Sequence, residues 1–115
     1  MSFGRALVDS GADDTLFPLE MVELLGIALH PPTGHAMRWR GQRFALRYGN
    51  AELELVDDNG ETLRWSAIVA FTAAALRYPL LGVCGCLEFL DVRFPGAGRM
   101  IDLEANRSHP GAAQP

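Results

Sequence analysis

Alternation of apolar and polar residues dominates the middle of the chain and constrains its fold more than any other feature. In segment 37–48, apolar side chains alternate with arginines on both sides of Gly41. In segment 53–71, leucines alternate with glutamates before Asn59-Gly60, and a second apolar series continues beyond that turn at every second position. Period-two patterns that flank turn formers predict two β-hairpins, each with one apolar and one polar face.

Turn-forming residues divide the rest of the chain into short elements. Segment 3–8 predicts a strand that ends at a cluster of acids and small residues, 9–14. Pro18 to Leu25 predicts a short helix, with Gly26 as its stop signal. The remaining predictions are an extended linker over 27–34, a short helix over 83–90, and a third hairpin whose strands, 91–94 and 99–103, flank Pro95-Gly96-Ala97-Gly98. Together they predict an all-β fold, a small closed β-barrel with one or two short helices.

Composition predicts one compact domain without a membrane segment. The chain has 115 residues, a formal net charge of −4, and is 49% hydrophobic and 21% charged. The acidic balance argues against a broad nucleic-acid surface, and no apolar run approaches the length of a membrane span. Without a signal sequence and with only two cysteines, the chain is expected in the cytoplasm. We expect a folded domain over residues 1–104 and a disordered tail over 105–115.

The residues between Ala6 and Thr15 carry the most specific motif. Asp9-Ser10-Gly11-Ala12, after an apolar strand, resembles the active-site loop of retropepsin-like aspartic proteases. Leu80-Leu81-Gly82 resembles the family's second motif, which packs across that loop. The resemblance covers about residues 6–103 and implies a β-barrel of the retropepsin type.

The resemblance also implies a mechanism. Peptide hydrolysis by this route needs two carboxylates that hold one water, and the chain offers one such loop. Asp9 would therefore act as general acid and base in a homodimer, with one Asp9 from each subunit at a two-fold axis. Ser10 would brace the two loops, Gly11 would let the backbone pass close to the carboxylate, and Ala12 completes the motif. Because the two carboxylates share a proton, activity should favour mildly acidic conditions.

The arginine-rich hairpin lies where the family has its flap. Its tip, with Trp39, Arg40, Gly41 and Gln42, would close over a polypeptide substrate. No metal, organic cofactor, nucleic-acid partner or membrane is implied. Family members carry another strand before the catalytic loop, whereas eight residues precede Asp9 in this sequence. We therefore expect a truncated N-terminal strand.

Other interpretations of the same residues stay open. Asp-Ser-Gly is also common in ordinary turns, and Asp13 and Asp14 are more typical of turn acids than of a second catalytic pair. The domain could be catalytically silent and serve in dimerisation or peptide binding. It could also be a small barrel that binds RNA through the arginine hairpin. Cys84-Gly85-Cys86 lacks the spacing of zinc ligands, so buried thiols are the favoured interpretation.

Overall fold

The computed structural model describes residue 3, residues 6–93 and residues 101–110, and these form a predominantly β structure. The main sheet has five strands in the order β1-β7-β2-β6-β5, and two separate hairpins pair β3 with β4 and β8 with β9. The strands are β1 (Leu7–Val8), β2 (Leu16–Pro18), β3 (Ala36–Trp39), β4 (Gln42–Ala45), β5 (Arg47–Val56), β6 (Thr62–Thr72), β7 (Leu80–Leu81), β8 (Leu90–Arg93) and β9 (Asp102–Ala105). The all-β prediction is confirmed, but the described strands form an open sheet and not a closed barrel.

The long hairpin β5–β6 follows the alternation in the sequence. Its antiparallel register runs from Arg47 opposite Phe71 to Val56 opposite Thr62. The turn is built by Asp57, whose carboxylate accepts hydrogen bonds from two backbone N–H groups of the following residues at 2.8 Å. Asn59-Gly60 lies in this turn as expected, with Gly60 at a φ of 81°.

Strand β6 connects the three parts of the hydrophobic core. Trp65 packs with Leu81, Cys86 and Leu90 in one cluster, while the end of β6 enters the other two clusters. Residues 69–72 are all buried, so the alternation of exposed and buried positions stops there. Because this end of the strand is covered on both faces, its residues Val69, Ala70 and Phe71 are apolar at consecutive positions.

The predicted helices are shorter than expected. Helix α1 spans Met21–Leu25, and Pro18 ends β2 opposite Thr72, so the prediction of a helix from Pro18 is wrong. Its stop signal is confirmed, because Gly26 caps the helix with a φ of 65°. Over 83–90 only a 3₁₀ turn forms, Leu87–Phe89. The reason lies at Gly85, whose φ of 89° is incompatible with a continuous right-handed helix.

The first and third hairpins differ from prediction at their ends. Strand β4 ends at Ala45, and Tyr48 belongs to β5, where it pairs with Ala70. The alternation continues through both strands, so the sequence gives no sign of the break between them. Strands β8 and β9 form an antiparallel hairpin as predicted, and their register runs from Leu90 opposite Ala105 to Arg93 opposite Asp102. The turn expected at 95–98 lies outside the described residues.

The residues after β9 fold back onto the domain. The backbone N–H of Asn106 donates to the Phe89 carbonyl at 3.0 Å, and the Asn106 side chain donates to the Glu88 carbonyl at 3.1 Å. His109 is buried with its ring edge-on to Trp65, 5.6 Å between centroids. Segment 106–110 thus contacts the core, while residues 111–115 of the predicted tail lie outside the described residues.

Candidate functional site

The Asp9 loop joins β1 to β2, and β7 lies between these two strands. Strand β7 runs parallel to β1 and antiparallel to β2. The backbone N–H of Asp9 donates to the Leu81 carbonyl at 3.0 Å, which extends the β1–β7 pairing to the aspartate itself. Asp9 therefore starts the loop at a fixed position, directly beyond a paired strand.

Hydrogen bonds within the loop orient the Asp9 side chain. The backbone N–H of Gly11 donates to Asp9 Oδ1 at 3.0 Å, and the backbone N–H of Ala12 donates to the Asp9 carbonyl at 3.1 Å. Such contacts are typical of an aspartate-initiated turn. Asp9 is half-buried, whereas Ser10 and Gly11 are exposed. One carboxylate oxygen is thus fixed by the backbone, on a loop whose tip faces solvent.

Gly82 fits tightly against the far end of this loop. A methyl group on its Cα would lie 2.6 Å from the carbonyl carbon of Asp14 and 2.8 Å from the carbonyl oxygen of Ala12, and would overlap the Asp14 oxygen. The segment after Gly82 then donates two backbone hydrogen bonds to the loop, from Val83 to Ala12 at 2.9 Å and from Cys84 to Asp13 at 2.7 Å. The structure therefore brings Leu80, Leu81 and Gly82 together with residues 9–14.

Thr15 connects the same two segments by hydrogen bonds inside the core. Its side chain is fully buried. The Thr15 hydroxyl donates to the Cys84 carbonyl at 2.8 Å and accepts from the Gly82 backbone N–H at 3.3 Å. The sequence analysis assigns Thr15 no role. The sequence feature that could have identified Thr15 is a small polar residue directly before an apolar strand.

A second group of polar side chains begins at Asp14. The Tyr48 hydroxyl donates to Asp14 Oδ2 at 2.9 Å and lies 3.3 Å from His35 Nδ1. Burial, together with the hydrogen bond to the Asp14 carboxylate, raises the pKa of Tyr48 to about 12. These three residues line an open groove of about 560 Å³, which is also lined by Asp13, His30, Thr33, Ala36, Leu46 and Ile68. The sequence did not indicate this grouping, because its members lie on separate elements.

The predicted flap residues occupy the turn of the β3–β4 hairpin. Arg40 and Gly41 have φ values of 51° and 79°, as in a two-residue turn of a twisted hairpin. Trp39 is half-buried, and Gln42 pairs with it across the hairpin. The base of this hairpin lines the groove beside Asp13 and Asp14, whereas neither its four tip residues nor Asp9 line the groove. The structure thus brings the hairpin base, and not its tip, to the loop.

Cys86 is buried as predicted, whereas Cys84 is exposed, so the prediction of two buried thiols is wrong for Cys84. Burial raises the pKa of the Cys86 thiol to about 11. The pKa of Cys84 is also raised, first by partial desolvation and then by the carboxylates of Glu88, Asp14 and Asp13. Among the described residues, no group of three or more histidine, cysteine, aspartate or glutamate side chains is placed to hold a metal ion.

Comparisons with known proteins provide no family assignment. No family model, no curated protein and no solved structure matches the chain. In the part of the chain that the structure describes, no helix has the length and apolar character needed to cross a membrane.

Proposed function

We propose that this chain is a retropepsin-like aspartic endopeptidase that cleaves polypeptides as a homodimer. The observation that carries the proposal is the anchoring of the Asp9 loop. The loop is held by β7 through the Asp9 backbone, by Gly82 at its far end and by the buried hydroxyl of Thr15. Such support fixes one carboxylate at the surface, as general acid–base catalysis requires.

The reaction needs two carboxylates and one water. The water oxygen attacks the scissile carbonyl carbon and passes a proton to one Asp9 carboxylate, while the protonated Asp9 of the other subunit donates to the carbonyl oxygen. The Asp9 that took the proton from water then donates it to the amide nitrogen, and the C–N bond breaks. The other Asp9 recovers its proton from a hydroxyl of the tetrahedral intermediate, which leaves as the product carboxylic acid. Because the motif occurs once in the chain, the second carboxylate comes from a second copy.

Exposed apolar side chains next to the loop support self-association. Leu7, in the edge strand β1, is 51% exposed, and Val83, directly after Gly82, is 39% exposed. Removing exposed apolar side chains from water favours association with a partner that packs over them. A second copy packed over them would place the two Asp9 loops close together.

The test is cleavage of a peptide library between pH 4 and 7, with molar mass measured on the same samples. Asp9→Asn should lower the cleavage rate at least 100-fold. The control is Asp58→Asn, which removes an exposed carboxylate in the distant β5–β6 turn and should leave the rate unchanged. A stable dimer that cleaves nothing would support the catalytically silent domain and refute the proposal.

Mixing the two proteins tests the shared site. With a nine-fold excess of Asp9→Asn chains, about a tenth of the wild-type chains remain in wild-type dimers. Cleavage should fall to about the same fraction if both carboxylates are needed. Undiminished cleavage in the mixture would show that one Asp9 is sufficient and would contradict the mechanism.

A further inference from the structure

The β3–β4 hairpin concentrates positive charge on one face of an otherwise acidic protein. Arg38 and Arg43 lie directly opposite each other across the two strands, and both are exposed. Arg40 follows in the turn and is also exposed. Three of the ten basic residues thus lie within six positions, although the chain has a net charge of −4.

Nothing within the described residues neutralises these three arginines. The ion pairs there are those of Arg64, which lies 2.7 Å from Glu54 and 3.9 Å from Glu52. Among the same residues, Arg38 donates a hydrogen bond to the Gly41 carbonyl alone, at 3.5 Å. Like charges directly opposite each other destabilise a strand pair. The hairpin therefore has an arrangement that an external anion would stabilise.

The opposite face of the hairpin is turned toward the protein. Met37 packs against the core cluster of Leu16, Leu46 and Ala70, and its cross-strand partner Phe44 is half-buried. Side chains alternate between faces along a strand. Arg38 and Arg43 therefore form an outer face, which is called the arginine face below.

The chemistry of the arginine face fits carboxylates better than a nucleic acid. Single-stranded nucleic acids are held by aromatic side chains interleaved with cations. Trp39 belongs to the other face, and the Arg40 guanidinium already lies 6.0 Å from the centre of its ring. Guanidinium groups also bind carboxylates through paired hydrogen bonds.

We propose that the arginine face binds an acidic segment of a polypeptide. The inference extends the proposed function, because the segment would belong to the substrate and lie outside the bond that is cleaved. Binding at this face requires no catalysis. Its test is therefore made on the Asp9→Asn protein, so that failure of binding and failure of cleavage are separate results.

The binding experiment uses a fluorescently labelled peptide of about ten residues in which glutamates alternate with glycines, and measures anisotropy. Arg38→Gln combined with Arg43→Gln should weaken binding about tenfold. The matched control, Arg77→Gln combined with Arg93→Gln, removes the same charge from exposed positions elsewhere and should have little effect. Arg38→Lys with Arg43→Lys should restore much of the affinity, and raising the salt concentration should weaken wild-type binding.

Arg43→Glu separates binding from a structural role. It places opposite charges across the strands, so the thermal midpoint should rise while binding of the acidic peptide falls. Equal loss of binding in the two double variants would refute the proposal, because the effect would then follow net charge alone. Tighter binding of polyuridylate than of the acidic peptide, with the same dependence on Arg38 and Arg43, would also overturn it in favour of a nucleic-acid site.

Discussion

Replacing Gly82 by alanine tests the contact that supports the Asp9 loop. The added methyl group meets the backbone of Asp14 and lies 2.8 Å from the carbonyl oxygen of Ala12. Backbone carbonyls cannot rotate away as a flexible side chain can, so the loop itself must move. That movement would stretch the hydrogen bonds that Val83 and Cys84 donate to the loop.

The expected loss follows from these two effects. Inserting a methyl group into a packed site costs about 1–3 kcal/mol. Weakening two backbone hydrogen bonds adds about 1 kcal/mol or more. We therefore expect the free energy of unfolding to fall by about 3 kcal/mol and the thermal midpoint by about 12 °C for a domain of this size.

The matched control is Gly60→Ala, in the exposed turn between β5 and β6. Gly60 has a φ of 81°, but an added methyl group has no atom within 4 Å. In the control, backbone strain is therefore the sole expected cost, and it should lower the free energy of unfolding by about 1 kcal/mol. Urea and thermal unfolding of both variants measure the difference. If Gly82→Ala lowers the free energy of unfolding no more than Gly60→Ala does, the close packing of Gly82 on the loop is refuted.

Two further substitutions test contacts around the loop and the core. The pKa of Tyr48 is about 12, against an ordinary value of 10.0, so the folded state favours its protonated form. The resulting contribution to the free energy of unfolding is complete below pH 10 and is lost as the pH rises through 12. An absorbance titration at alkaline pH should show one tyrosine that ionises near pH 12, and Tyr48→Phe should remove that step. Ionisation of Tyr48 near pH 10 would contradict its contact with Asp14. Trp65→Phe removes the indole hydrogen bond to the Gly85 carbonyl, 2.8 Å, and leaves a void in the core. Urea unfolding should show a loss of about 2 kcal/mol, and a loss below about 0.5 kcal/mol would exclude a significant contribution from that hydrogen bond.

Local pattern was sufficient to predict the hairpins and their faces. Alternation fixed which side chains of β5 and β6 face the core, because successive residues of a strand point to opposite sides. Gly41 and Gly60 marked turns for an equally local reason, since glycine adopts a positive φ far more readily than other residues. Asp9 and Gly82 could also be identified from the sequence, because each belongs to a short motif of adjacent residues.

Contacts between distant segments were decided only by the tertiary structure. Pro18 ends a strand and does not begin a helix, because β2 pairs with β6 more than fifty residues away. The placement of β7 between β1 and β2, and the burial of Thr15 against Gly82, likewise depend on segments with a large sequence separation. The sequence by itself determined the alternating strands and the turns of the hairpins, because those preferences act over a few residues. Which strands pair, and which polar groups meet, followed from the packing of distant described segments around β6.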